Sequence, residues 1–395
     1  MQIIRTFGHV FGGTLLVSGT SIGVGMLALP LATAEGGFFP SLVIYGLCWI
    51  FMLCTGLLVL EAAIWLPKDA NLGTMASHLL GRSGKMVCWV LYIFLFTSLM
   101  VAHEAGGASV LKQLSGGNIP DWAGLLIYVA AFAPIVYLGT HSVDRLNLIL
   151  MVGILFTYIL FIVSSFHRID FNLLAHTNWS KAWPALPVVF TAFGYQSLIP
   201  TLMTYMNRNV KKVRLAIILG TAIPFCIYIV WELVILGIVP AEGPGGLIET
   251  LHKGGNAVGP LGRYLQNPGL TSIGRAFAFF ALTTSFVGIS IAYIDYLADS
   301  LKFQKKGFKK LGLCAFVFVL PLIVTLINPH IFILALEYAG GYGVAILLGL
   351  MPILMVWSGR YYKGYMQTHR QLFGGKAFLS ILIAFVIFEL IVQLW

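Results

Sequence analysis

Gly19-Thr20-Ser21-Ile22-Gly23-Val24-Gly25-Met26-Leu27-Ala28-Leu29-Pro30 lies inside the first long apolar segment, where an unbroken membrane helix would be the simplest structure. Each of the three glycines lowers helix propensity by about 1 kcal/mol relative to alanine. Thr20 and Ser21 offer freed backbone groups other hydrogen bonds. The helix is therefore expected to open here. In hydrocarbon an unsatisfied backbone group is costly, so irregular backbone persists only where it lines a cavity or binds something. Close helix packing competes with this reading, since Gly19 and Gly23 have the small-xxx-small spacing. A second interrupted segment in the other half of the chain decides in favour of an opened helix.

Outward from this stretch the chain is apolar throughout. Hydrophobic residues make up 59% and charged residues 10%, with a mean hydropathy of +0.91; a soluble domain carries roughly 25% charged residues. The chain reads as one all-α integral membrane domain, with the lipid bilayer as its partner and no cofactor. The five cysteines fall in apolar segments without metal-ligand spacing and read as buried small hydrophobes. The net charge of +10 comes from short loops between apolar runs, which argues for topology rather than nucleic acid. Arg5 ahead of an apolar run, with Ala32-Thr33-Ala34 beyond it, imitates a secretory signal, but the run is too long and too glycine-rich for one.

Eleven spans can be placed, at 8–33, 38–66, 86–112, 121–140, 146–166, 186–207, 213–239, 270–301, 311–328, 331–357 and 377–394. With the amino terminus inside, most basic residues, among them Arg5, Lys68, Arg208, Lys212, Lys305 and Arg360, fall on the cytoplasmic side. The other side receives Lys112, Arg168, Lys181, Lys253, Arg263 and Arg275. This asymmetry places the amino terminus in the cytoplasm and the carboxyl terminus outside.

The sixth span carries the second interruption, Ala192-Phe193-Gly194-Tyr195-Gln196-Ser197-Leu198-Ile199-Pro200. Spans one to five (8–166) and six to ten (186–357) then form two repeats with span eleven added. An odd number of spans per repeat makes the repeats antiparallel, and paired broken helices mark the binding site in such transporters. Gly23 to Glu61 and Gly194 to Glu232 are both 38 residues, so spans two and seven carry matching carboxylates.

The motifs at 19–30 and at 192–202 resemble the bacterial hydroxy and aromatic amino acid permeases, the tyrosine- and tryptophan-specific transporters. The resemblance spans essentially the whole chain. It implies the five-plus-five inverted-repeat (LeuT-like) fold of the amino acid, polyamine and organocation superfamily, with spans one and six interrupted and one extra helix. It also implies import of an aromatic amino acid across the inner membrane, driven by an ion gradient. The tyrosine type looks closer, while tryptophan and phenylalanine stay open, and Gln196 is expected to bear on the choice.

An amino acid zwitterion requires an anion site and a cation site close together. A half-helix starting near Gly25 presents free N–H groups and a positive dipole end to the carboxylate. Carbonyls expected free at Ser18, Gly19 and Phe193 can accept from the ammonium. Glycine at 23 and 25 permits close approach of the ligand, with Thr20, Ser21 and Gly194 completing the expected site. Phe193, Tyr195 and Gln196 offer an apolar slot with one polar group, although core packing explains the two aromatics equally well.

Carboxylates at membrane depth are costly and informative. His103 and Glu104, deep in span three beside Gly106-Gly107, read as a proton or gating pair, followed by Asp295 and Glu337. Glu61 and Glu232 lie toward span ends, where snorkelling competes with function; Asp299 and Glu389 are expected at the interface. For the coupling ion, Thr283, Thr284 and Ser285 could complete a sodium site. Span five lacks the lysine that some proton-coupled superfamily members use, while the family resembled is proton-driven. Protons are favoured. Asn71 to Gly81 is amphipathic, with an inner-gate role left open. No metal cluster, phosphate loop or catalytic triad supports an enzyme, and no continuous polar stripe supports a channel. Another neutral amino acid as cargo is the nearest rival.

Overall fold

The computed structural model describes residues 2–67, 70–365 and 370–394; Lys68, counted above among the cytoplasmic basic residues, lies outside them. All regular structure among these residues is helical. The first span is broken into α1 (Gln2–Ser21) and α2 (Val24–Thr33), bent by 51°. There follow α3 (Phe38–Ile64), α4 (Leu72–Leu114), α5 (Asp121–Leu138) and α6 (Thr140–Ser165). The sixth span is broken into α7 (Leu186–Ala192) and α8 (Ile199–Tyr205). The remainder is α9 (Val210–Ile238), α10 (Pro268–Leu301), α11 (Gly307–Ile327), α12 (Phe332–Tyr361) and α13 (Gly375–Gln393). Ten described helices or helix runs are long and apolar enough to cross a membrane, and the bent α1–α2 pair makes the eleventh span.

Local chemistry explains where the spans depart from straight helices. Asn71 caps α4 by accepting from the Thr74 N–H, and Gly81, at φ 79°, kinks that helix, so the amphipathic stretch forms a short arm joined to the span. Pro321 and Pro224 lie inside α11 and α9, and residues 339–350 of α12 wind as a wide π-helix. At that wide turn a Cβ on Gly340 would fall 1.7 Å from the Pro187 carbonyl oxygen, so α7 and α12 touch backbone to backbone.

Packing arranges these helices around the two breaks. Helix α1 lies along α9: the Ser18 hydroxyl reaches the Gly220 carbonyl at 2.9 Å, and a Cβ on Gly220 would meet Val17. Helices α4 and α6 pack against α10, α12 lies along α4 and α7, and α13 sits on the π-helical stretch. Leu148, Val152, Leu155, Phe156 and Val163 of α6 are exposed, as expected for a lipid-facing helix. The α9–α10 connection folds back over α2, where the Ala257 N–H donates to the Leu27 carbonyl at 3.0 Å.

Candidate functional site: two broken helices joined by a tyrosine

The first break falls within the expected stretch, just ahead of Gly25. The helix runs through Gly19, Thr20 and Ser21, and only Ile22 and Gly23 leave it. The hydroxyls expected to compete with the helix instead bond back to its own carbonyls: Ser18 to Thr14 at 2.9 Å, Thr20 to Leu16 at 2.8 Å and Ser21 to Val17 at 3.4 Å. The Ser18 carbonyl accepts the Ile22 N–H at 3.0 Å and so is not free. Ser18 is committed to α1 and α9, and Thr20 is exposed with its hydroxyl engaged.

Gly23 and Gly25 are required for different contacts. A Cβ on Gly23 would lie 2.0 Å from Ser285 Oγ of α10, so the break is seated against α10. A Cβ on Gly25 would lie 2.8 Å from Ala192 Cβ and 2.9 Å from Ala192 Cα. Gly25 thus allows the start of α2 to press on the end of α7. No described side chain caps α2; the Met26 N–H turns back to the Gly23 carbonyl at 3.2 Å, which leaves the Val24 and Gly25 N–H groups at the break.

The second break matches the expected stretch. Helix α7 ends at Ala192, Phe193 to Tyr195 leave helical geometry, and a short turn at Gln196–Leu198 leads into α8. Phe193 and Tyr195 are buried, and Gly194 lies half-buried between Thr191 and Leu348. Gln196 is fully buried, with its Oε1 taking the Tyr195 N–H at 2.9 Å and its Nε2 donating to Thr55 Oγ1 at 2.9 Å and to the Met52 carbonyl at 3.2 Å. The Tyr195 hydroxyl donates to the same carbonyl at 3.2 Å. These two side chains fasten the opened segment to α3.

Tyr228 of α9, which the sequence reading did not single out, joins the two breaks. Its hydroxyl lies within hydrogen-bond reach of both the Ser21 carbonyl and the Ala192 carbonyl, the last of α1 and of α7. Its ring packs edge-on against Phe193 at 5.2 Å between centroids. Two negative helix ends and one positive helix end are therefore gathered in one place without any charged side chain. The available signal was Tyr228 standing four residues, one helical turn, before Glu232.

The expected coupling residues separate into two places. His103 and Glu104 are fully buried in α4; His103 Nδ1 bonds the Leu99 carbonyl at 2.6 Å, while its Nε2 and both Glu104 oxygens have no partner among the described residues. On the same face the Tyr128 ring covers Gly107, and the Tyr128 hydroxyl reaches Thr283 at 3.4 Å. Thr284 is buried without a partner among the described residues, and Ser285 faces Gly23.

Glu389, expected at the interface, is buried, and so are Glu61 and Glu232, for which snorkelling competed with function. Glu61 pairs with Arg360 of α12 at 2.6 Å and 2.7 Å and accepts the Gln371 N–H at 2.8 Å. Glu232 accepts from Tyr45 at 2.7 Å and contacts Thr33. Glu389 is buried in α13 without a partner among the described residues. In each case a neighbouring helix covers a position that the span boundary alone would leave at the surface. Asp299 is exposed, Asp295 is half-buried and pairs with Lys305 at 2.6 Å, and Glu337 is half-buried.

Comparison with known proteins agrees with this architecture. Residues 7–393 match the model of the tryptophan/tyrosine permease family. The chain is 32% identical to "Tyrosine-specific transport system 1" of Haemophilus influenzae over 97% of its length and 95% of the relative's. It is 29% identical to the "Tryptophan-specific transport protein" of the same organism, covering 98% of this chain and 95% of the relative. The structure of MhsT in complex with L-phenylalanine superposes with a TM-score of 0.65 at 15% identity, over 97% of this chain and 96% of that one, and shows the LeuT-like fold. With the family model spanning nearly the whole sequence, the chain belongs to the tryptophan/tyrosine permease family and is a membrane transporter rather than an enzyme.

Proposed function

We propose that the protein imports an aromatic amino acid, tyrosine first among them, by proton symport across the bacterial inner membrane, with its amino terminus cytoplasmic and its carboxyl terminus outside. The observation that carries this reading is the gathering of the ends of α1, α2 and α7 around Tyr228. The free N–H groups of α2 suit a carboxylate, and the carbonyl ends of α1 and α7 suit an ammonium. Residues 8–166 and 186–357 serve as the two repeats, with 377–394 added. Gly19, Ser21, Gly23, Phe193 and Gly194 border the ligand, while Ser18, Thr20, Gly25, Tyr195 and Gln196 hold the frame. Relatives named for tyrosine and for tryptophan support the substrate class.

Protons are favoured because Glu104 is a buried carboxyl with no donor or cation among the described residues to satisfy its ionised form. His103 is its adjacent relay. A sodium reading rests on one observation, the seating of Gly23 against Ser285 next to the unpartnered Thr284. Proteoliposomes decide between them. Tyrosine accumulates under an imposed pH gradient in sodium-free buffer, and other aromatic amino acids compete for that uptake. Accumulation that requires sodium and ignores the pH gradient overturns the proton reading. Glu104→Gln abolishes accumulation; full accumulation by that variant removes Glu104 from coupling.

A further inference from the structure

Glu61 and Glu232 occupy matching places in the two repeats, but their partners differ in kind. Glu61 is neutralised by Arg360, with a bidentate pair and a backbone N–H besides. Glu232 is equally buried, has no cation within ion-pair distance among the described residues, and is held by hydroxyls alone. Those hydroxyls come from the end of α2 (Thr33) and the first turns of α3 (Ser41 and Tyr45), so this one carboxyl ties both to α9.

The hydrogens can be counted. Thr33 Oγ1 has one proton but faces two acceptors, the Leu29 carbonyl at 2.8 Å and Glu232 Oε1. When Glu232 carries a proton on Oε1, that O–H donates to Thr33 Oγ1, the Thr33 O–H donates to Leu29, and Tyr45 donates to Oε2, so every group is served. When Glu232 is ionised, the Thr33 hydroxyl must turn from Leu29 to the carboxylate, and a buried anion remains with the hydroxyls of Thr33, Tyr45 and Ser41 and, among the described residues, no countercharge. Separation of α2 and α3 from α9 would hydrate that anion.

We propose that Glu232 is a proton-binding switch for the outer half of the transporter, its neutral form permitting α2 and α3 to close on α9 over bound substrate and its ionised form favouring the open side. The surroundings leave this role to Glu232. On α9 the titratable neighbour is Tyr228, and on α3 it is Tyr45. Beyond α2, Glu35 is paired with Lys181 at 2.8 Å, the exposed His176 has its Nε2 3.1 Å from the Glu35 carbonyl, and His176 and Glu242 line the outer cavity between Ala34, Phe38 and Leu236, all outside the buried cluster that holds Glu232. The segment packed on the end of α9 carries Asp170, which caps Asn172, and Arg168, which bonds His167. The loop helix covering α2 carries the Glu249–Lys253 pair.

The proposal rests on the orientation and proton coupling given above, and the test separates the failures. In proteoliposomes the apparent KM for external tyrosine is measured against external pH, beside exchange and pH-driven accumulation. The wild type loses apparent affinity severalfold as the outside becomes alkaline. Glu232→Gln, a fixed mimic of the neutral form, shows a flattened KM profile and weakened pH-driven accumulation, the remainder carried by Glu104, yet still exchanges labelled substrate. Thr33→Val keeps the carboxyl but removes the relay, and displaces the midpoint of the profile. A Glu232→Gln variant with the wild-type profile overturns the proposal. Should that variant fail to insert, an undisplaced midpoint in Thr33→Val overturns it instead. A wild type with a flat KM that still accumulates on a pH gradient sinks the switch alone; a wild type that also ignores the gradient sinks proton coupling with it.

Discussion

At Gly23 a single hydrogen in place of a side chain admits Ser285 of α10 to the break, with the Ser285 Oγ 2.0 Å from where a Cβ would stand. Gly23→Ala should therefore depress tyrosine uptake strongly while surface expression persists. Adding Ser285→Ala should recover only part of the loss, because Ser285 Cβ still lies 3.1 Å from the new methyl. A single variant with normal uptake kinetics would show that the break tolerates bulk. Gln196 is a different case. Its amide reads as a specificity group in the sequence, yet its bonds to Thr55, Met52 and the Tyr195 N–H engage both ends of the amide. Gln196→Ala should destabilise the opened segment by about 1 to 3 kcal/mol, the cost of unpaired buried partners. Affinity for tyrosine, tryptophan and phenylalanine should fall together with their order unchanged; a changed order in competition uptake would return Gln196 to substrate reading.

Between elements, the buried Glu61–Arg360 pair joins α3 to α12 at the end opposite Glu232. Removing one partner strands the other charge. Arg360→Met should cost roughly 3 to 5 kcal/mol, and an Arg360→Met, Glu61→Leu double variant should recover most of it. Thermal unfolding of the detergent-purified variants checks this, and a double variant no more stable than the single would refute it. The helix breaks themselves were legible from glycine, hydroxyl and proline placement, because those residues act locally. Their register was less so. Hydroxyls that bond back to the i−4 carbonyl carry α1 through Gly19 and Thr20 as far as Ser21, which fixes where within the expected stretch the helix opens. Whether a hydroxyl bonds back in this way depends on which other partners stand nearby.

At the scale of the whole molecule, acidity acts on a loop as well as on the core. The Glu249 carboxyl is held below the usual carboxylate range by the Gly245 N–H and by Lys253. A depressed carboxyl contributes stability above its unfolded pKa and loses it as pH falls through the folded one. The loop helix over α2 therefore keeps this bond under mild acidity and loses it only below the ordinary carboxylate range. Glu249→Gln should leave the pH dependence of external KM unchanged; a flattened profile would place the pH response in the loop.

The membrane class, the eleven spans, the two interruptions and the family resemblance are legible in the order of the amino acids alone. Hydropathy, basic-loop asymmetry and helix propensity are properties of contiguous residues and need no partner to be read. What the breaks are fastened to emerges only when the helices are packed. Tyr228 meeting both Ser21 and Ala192, Gly25 against Ala192, Gln196 against α3, and the opposite fates of Glu61 and Glu232 all join residues distant in the chain. A buried polar group is defined by the donors and charges that surround it, and those come from other helices.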